Sequence, residues 1–141
     1  MRFTTSDLAT VLNARGIRSS AQRLAIAQYI LCTGEHPSAD KVWAKVKEAF
    51  PSVSRASVYN TLNLFVAKGL IRRLVLSGGG VVFDANVADH HHFIDQHSGR
   101  IHDVPREAVG VSGIDNLKDF DVREYHVVMR GRRRPSRRKA P

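Results

Sequence analysis

The sequence predicts an α+β protein, with an N-terminal winged-helix domain followed by a small α/β domain. Three observations carry that prediction. Residues 4–65 place apolar side chains at helical spacing, punctuated by Ser or Thr caps and by Gly or Pro stops. Two strand-like runs, residues 71–76 and 81–84, flank the turn Ser77-Gly78-Gly79-Gly80 and read as a hairpin. Beyond residue 90 the pattern changes to short strand-like segments, with Gly110 and Gly113 between them arguing against a long helix.

The elements follow in order. Leu8, Val11 and Leu12 mark a first helix over 4–13, capped by Thr5 or Ser6 and ended by Gly16. Ser19 or Ser20 caps a second helix with Leu24, Ala27, Ile30 and Leu31 on its apolar face and Gly34 as its stop. Glu35-His36-Pro37 is a loop, because the residue before a proline avoids the helical region. Ser38 caps a third helix that turns Val42, Trp43, Val46 and Phe50 inward, and Pro51 stops it. Residues 52–65 read as a short turn and a fourth helix, which turns Val58, Leu62 and Phe65 to a core. Arg55, Ser57, Tyr59, Asn60 and Asn63 remain on its other side, and Gly69 closes it. In the second domain, 90–95, 100–104 and 123–130 are strand candidates, with a short helix over 114–120.

Helices followed by a hairpin form the winged-helix pattern, in which the last helix before the wing enters the major groove. The outer face of the fourth helix is polar and hydrogen-bonding without heavy charge, which suits base edges more than phosphates. Arg55, Ser57, Tyr59 and Asn60 are therefore candidate DNA contacts, flanked by Arg72 and Arg73 of the wing. Arg15, Arg18 and Arg23 are candidates for phosphate contacts.

Composition bounds the rest. The chain has 141 residues, 43% apolar and 25% charged, and no run approaches the length of a membrane span. Residues 1–7 lack a signal-peptide pattern, so a cytoplasmic protein is expected. The formal charge is +9, yet residues 130–139 carry seven Lys and Arg and no acid, leaving +2 elsewhere. That basic tail, 132–141, is expected to be disordered and to attract nucleic acid phosphates. The single cysteine, Cys32, cannot form an internal disulfide or complete a thiolate zinc site, and reads as a small buried apolar residue. Three short strands with little helix bury little surface alone, so a homodimer is expected.

The most distinctive stretch is Asp89-His90-His91-His92-Phe93-Ile94-Asp95. On a strand, residues two apart share a face. His90 and His92 therefore point together and His91 points away. With Asp84 before them and Asp103 on the neighbouring segment, they form a nitrogen and oxygen donor set suited to Fe(II), Mn(II) or Zn(II).

The chain resembles the Fur superfamily of metal-dependent transcriptional repressors from about Leu8 to Arg134. The resemblance rests on the run from Gly16-Ile17-Arg18 to Arg23, on His36-Pro37-Ser38-Ala39-Asp40 and on Ser54-Arg55-Ala56-Ser57-Val58-Tyr59-Asn60-Thr61-Leu62. It rests also on Phe83-Asp84 followed by His90-His91-His92 and Gly99-Arg100-Ile101-His102-Asp103. It implies a DNA-binding domain over 1–84, a hinge over 85–89 and a dimerisation and metal-sensing domain over 90–131. It also implies a regulatory metal, Fe(II) or Mn(II), with Zn(II) able to take the site in vitro. The ligands it implies are His36, Asp84, His90, His92 and Asp103, and the partner is a palindromic AT-rich operator. The sequence departs from the commonest family pattern where Cys-x-x-Cys is replaced by Asp95-Gln96-His97-Ser98, so no structural four-cysteine zinc is expected. A family histidine near the last strand falls on Tyr125, with His126 one place off, and the long dimerisation helix is shortened. Members without the cysteines include peroxide-sensing PerR-like and iron- or haem-responsive Irr-like proteins, and Ile94-Asp95 with Ser98-Gly99-Arg100-Ile101 looks more like the former. In PerR-like members an aspartate at the place of Asp103 accompanies iron-driven oxidation of histidine ligands, here His36 and His90. A metalloenzyme built on His90, His92 and Asp103 is a remote alternative, since no separate acid/base or substrate pocket is legible. A non-specific architectural DNA protein driven by the basic tail is another.

Overall fold

A computed structural model describes residues 3–135 and has the predicted α+β character, with four helices, a two-stranded hairpin and a three-stranded sheet. The chain divides into two compact units, with the boundary between Val87 and Ala88. Of the expected basic tail, residues 136–141 lie outside the described residues, as do Met1 and Arg2 of the start.

In the first unit, α1 (Thr5–Ala14), α2 (Ala21–Cys32), α3 (Ala39–Lys47) and α4 (Arg55–Ala67) each begin at a side-chain cap. Thr4, Ser20, Ser38 and Ser54 accept from backbone amides three residues on, which satisfies donors a helix start leaves open. The cap of α1 lies one residue earlier than expected. Thr4 and Asp7 form a reciprocal capping box, which neither Thr5 nor Ser6 has the spacing to make. Gly69 ends α4 with φ +73, and the Leu70 amide reaches back to the Phe65 carbonyl.

Period and burial agree closely on α4, where Val58, Leu62 and Phe65 are completely enclosed. They meet Leu8 and Leu12 of α1, Ile26, Ala27 and Ile30 of α2, Val42 and Val46 of α3, and Phe83 in one apolar cluster. On α2 the fully buried stripe is Ile26, Ala27 and Ile30, while the expected Leu24 and Leu31 pack at its margin. Trp43 likewise packs at the margin of the cluster, and its indole N–H donates to the Val53 carbonyl at 3.0 Å. The wing is β1 (Arg72–Val75) paired antiparallel with β2 (Val81–Asp84).

The second unit contains β3 (His90–Asp95), β4 (Ile101–Pro105) and β5 (Val128–Gly131), in the order β4-β3-β5. β4 is antiparallel to β3, with His92 opposite Asp103, and β5 is parallel to β3, with His92 opposite Val128. The last strand is shorter than the expected 123–130, because parallel pairing with β3 begins only at Val128. The expected short helix over 114–120 is a single 3-10 turn, Ile114–Asn116, entered through left-handed Gly113. Among the described residues the buried positions of this unit are His90, His91, His92 and Asp95, and no apolar side chain is buried with them. Val111, Leu117, Phe120, Val122 and Tyr125 are exposed.

Candidate metal centre and nucleic-acid interface

Each unit gathers its own part of the predicted ligand set. In the first, the Phe83 amide donates to the Pro37 carbonyl at 2.9 Å, docking the loop before α3 against β2. That contact sets His36 beside Asp84, with Nε2 3.3 Å from Oδ2 and both side chains about 5% exposed. A carboxylate this buried needs a positive or hydrogen-bonding neighbour. A second Asp84 oxygen accepts the Asn86 amide at 2.8 Å, which orients the carboxylate.

In the second unit, strand alternation brings His90 and His92 to one face, as expected. Their Nε2 atoms are 3.0 Å apart, and Asp103 Oδ1 lies 3.3 Å from one and 3.6 Å from the other. Asp103 reaches them because β4 pairs it directly with His92. Nδ1 of His90 meets the Ala88 carbonyl at 2.5 Å. A carbonyl only accepts, so Nδ1 carries the proton, and in the neutral ring Nε2 presents a lone pair. Two imidazole nitrogens at this separation either share one proton or turn their lone pairs to a common cation. With a carboxylate oxygen in range and no sulfur, the donor set fits a divalent transition ion of the Fe(II), Mn(II) or Zn(II) kind.

His91 points the other way and is buried. Its Nδ1 accepts the Val127 amide at 2.9 Å, which ties the approach to β5 onto β3. His126 stands edge-on to His92 with ring centroids 5.9 Å apart. Burial, then the neighbouring His92 and His91, depress its pKa. Where the resemblance places a family histidine, Tyr125 instead carries Arg106 over its ring at 5.2 Å, and Arg106 also pairs with Asp89 at 2.9 Å. At the place of the family's first cysteine pair, the Asp95 carboxylate accepts the His97 amide at 2.9 Å and closes the β3–β4 turn. That bond holds its pKa below the ordinary carboxylate value.

The predicted DNA contacts all lie on the first unit. Arg55, Ser57, Tyr59 and Asn60 are exposed on α4, Tyr59 at 45%. Two features there were not legible in the sequence. Lys47 Nζ and the Arg55 guanidinium both lie over the Trp43 ring, 4.6 and 4.5 Å from its centroid. Arg73 of the wing donates to Asn63 Oδ1 on α4. Of the arginines assigned to phosphates, Arg18 is exposed, and Arg23 is half-buried with its guanidinium donating to the Arg18 carbonyl at 3.2 Å. Arg15 donates to the Gly69 and Lys68 carbonyls at 2.6 and 3.3 Å.

The model of the ferric uptake regulator family matches residues 14–129. The peroxide-responsive repressor PerR of Staphylococcus epidermidis is 30% identical over 122 residues, covering 85% of this chain and 81% of that protein. The ferric uptake regulator of Pseudomonas aeruginosa, solved with manganese, is 25% identical. It superposes with a TM-score of 0.64 over 89% of this chain and 97% of that one. The Vibrio cholerae ferric uptake regulator, 20% identical, superposes with a TM-score of 0.66 over 89% of this chain and 99% of that one. Among the described residues no helix is long and apolar enough to cross a membrane.

Proposed function

The chain belongs to the ferric uptake regulator family, and on that premise we propose that it is a cytoplasmic, metal-dependent repressor, a homodimer on operator DNA, that peroxide inactivates. The observation that carries the proposal is the His90–His92–Asp103 cluster, a buried pair of imidazole nitrogens facing one carboxylate. Its sulfur-free nitrogen and oxygen donors suit Fe(II) or Mn(II), the proposed working metals. The proposed ligand set is His36, Asp84, His90, His92 and Asp103. Two of these belong to the winged-helix unit and three to the sheet unit, with the hinge, 85–89, between Asp84 and His90 in the chain.

These residues divide the work. His36 and Asp84 offer a nitrogen and a buried carboxylate held ready by the Pro37–Phe83 and Asn86 contacts. His90 is oriented by the Ala88 carbonyl, and Asp103 by its register opposite His92. A ligand set drawn from both units ties the angle of the DNA-binding unit to occupancy of the site. Operator affinity then follows metal through the difference in metal affinity between two conformations. The supporting features for DNA are the polar outer face of α4, with Ser57, Tyr59 and Asn60 toward base edges and Arg18, Arg23 and Arg55 toward phosphates. An AT-rich palindrome is the operator class proposed. The dimer is supported by a sheet unit that exposes Phe120 and four other large apolar residues and, among the described residues, buries none.

A bound ferrous ion would supply the one-electron chemistry that splits peroxide, and His36 and His90 are the rings proposed to take up oxygen. The resemblance to a peroxide-responsive repressor supports this signal. The test is mass spectrometry of the protein loaded anaerobically with Fe(II) and then given peroxide. One added oxygen on a peptide containing His36 or His90, with release of operator DNA, is the expected result. Release by iron depletion or by haem, without oxygen uptake, would replace it with the iron- or haem-responsive reading.

A further inference from the structure

We propose that Arg15 does not neutralise a DNA phosphate but positions the reading helix, by clamping the C-terminal end of α4. The proposal rests on the reading that α4 reads the operator. The last carbonyls of a helix have no intrahelical donors and carry the negative end of its dipole. α4 has no basic residue in its own last turn. Arg15, the C-cap residue of α1, brings a guanidinium to the carbonyls of the C-cap Lys68 and of Gly69 just past it, beyond those that the Lys68, Gly69 and Leu70 amides already satisfy. Its Nη1 donates to the Gly69 carbonyl at 2.6 Å and to the Lys68 carbonyl at 3.3 Å.

Glycine at 69 leaves room for the approach. Its φ is +73, and a Cβ there would stand 3.1 Å from Arg15 Nη1. Gly16, at φ +70, turns the chain immediately after Arg15, so two left-handed glycines let the ends of α1 and α4 meet. A second tie comes from the wing, where Arg73 donates to Asn63 in the middle of α4. Two basic residues from other elements, Arg15 and Arg73, thus hydrogen-bond α4 or the residues that close it.

Salt dependence separates clamp from phosphate contact. Each phosphate contact contributes about 0.9 to the slope of log affinity against log salt, so losing one from each arm of a dimer lowers the slope by about 1.8. A phosphate contact also contributes equally on operator and random DNA. The experiment measures Mn(II)-loaded Arg15→Ala on both DNAs from 50 to 300 mM salt (concentrations chosen at about the range where such slopes are linear). The clamp predicts an unchanged slope and a several-fold loss of affinity confined to the operator. Gly69→Ala keeps every charge but crowds the guanidinium, and it should give the same signature. A slope lowered by about 1.8 with equal losses on both DNAs overturns the proposal, as does wild-type discrimination in both variants. Asn60→Ala is the control for the underlying reading. If it leaves operator preference intact, the role of α4 fails; if it abolishes preference while Arg15→Ala does not, the clamp alone fails.

Discussion

Replacing His91 tests whether the middle histidine of the triplet is a ligand or a tie between strands. The structure assigns it to the tie, because Nδ1 accepts the Val127 amide and the ring is only 1% exposed. His91→Ala leaves that amide without its acceptor, at about 1–3 kcal/mol. It also leaves a cavity, which for loss of a large buried side chain adds about 2–3 kcal/mol. A loss of about 3–6 kcal/mol is severe for a unit in which no apolar residue is buried among the described residues, given domain stabilities of roughly 5–15 kcal/mol. His91→Asn restores an acceptor on a shorter side chain, so it should recover about 1–2 kcal/mol of the loss. The assay pairs thermal unfolding with Mn(II) affinity by calorimetry, and follows hydrogen exchange at the Val127 amide. The expected result is faster exchange and a lower Tm in the alanine variant, with Mn(II) affinity close to wild type in the folded asparagine variant. A folded asparagine variant with unchanged Tm and no Mn(II) binding would refute the assignment and make His91 a ligand.

Two further outcomes are expected. Phe65→Ala empties a fully enclosed site at the centre of the winged-helix unit, and urea denaturation should register a loss of about 3–5 kcal/mol; a loss under 1 kcal/mol would contradict the packing. The hydrogen bonds with Thr4 hold the Asp7 carboxyl below its ordinary value. Its stabilising effect is therefore fully present above the unfolded pKa and fades as pH falls through the lowered folded value. The Tm difference between wild type and Asp7→Asn should shrink toward zero in that acidic window, and a difference that is flat with pH would rule out the capping box.

Legibility in the sequence followed the range of the interactions. Caps at Ser38 and Ser54, stops at Gly16, Gly34 and Gly69, and the Val58–Leu62–Phe65 stripe depend on neighbours within a turn or two, and all were readable. Strand alternation gave the shared face of His90 and His92 for the same reason. The length of β5 was not readable, because it depends on parallel pairing with a strand more than thirty residues earlier. His36 shows the limit most clearly. Spacing alone leaves it a loop histidine, and the hydrogen bond from Phe83 to Pro37 that sets it against Asp84 joins residues 46 positions apart. Only the family resemblance pointed to it. Arg15 shows the same limit, since an arginine in a basic turn reads as a phosphate contact and nothing local announces its acceptors on Lys68 and Gly69, more than fifty residues away. Trp43 has core-like helical spacing, and its contact with the Arg55 guanidinium depends on where Arg55 of α4 comes to lie.

Metal at the histidine and carboxylate cluster is proposed to control DNA binding. Operator affinity of the dimer, titrated with Mn(II) and then stripped by chelator, tests it most directly. The account predicts tight binding with Mn(II), a loss of about tenfold or more on chelation, as couplings of 1–3 kcal/mol allow, and no metal response in His92→Ala or Asp103→Ala. Affinity that is the same with Mn(II) and with chelator would contradict it.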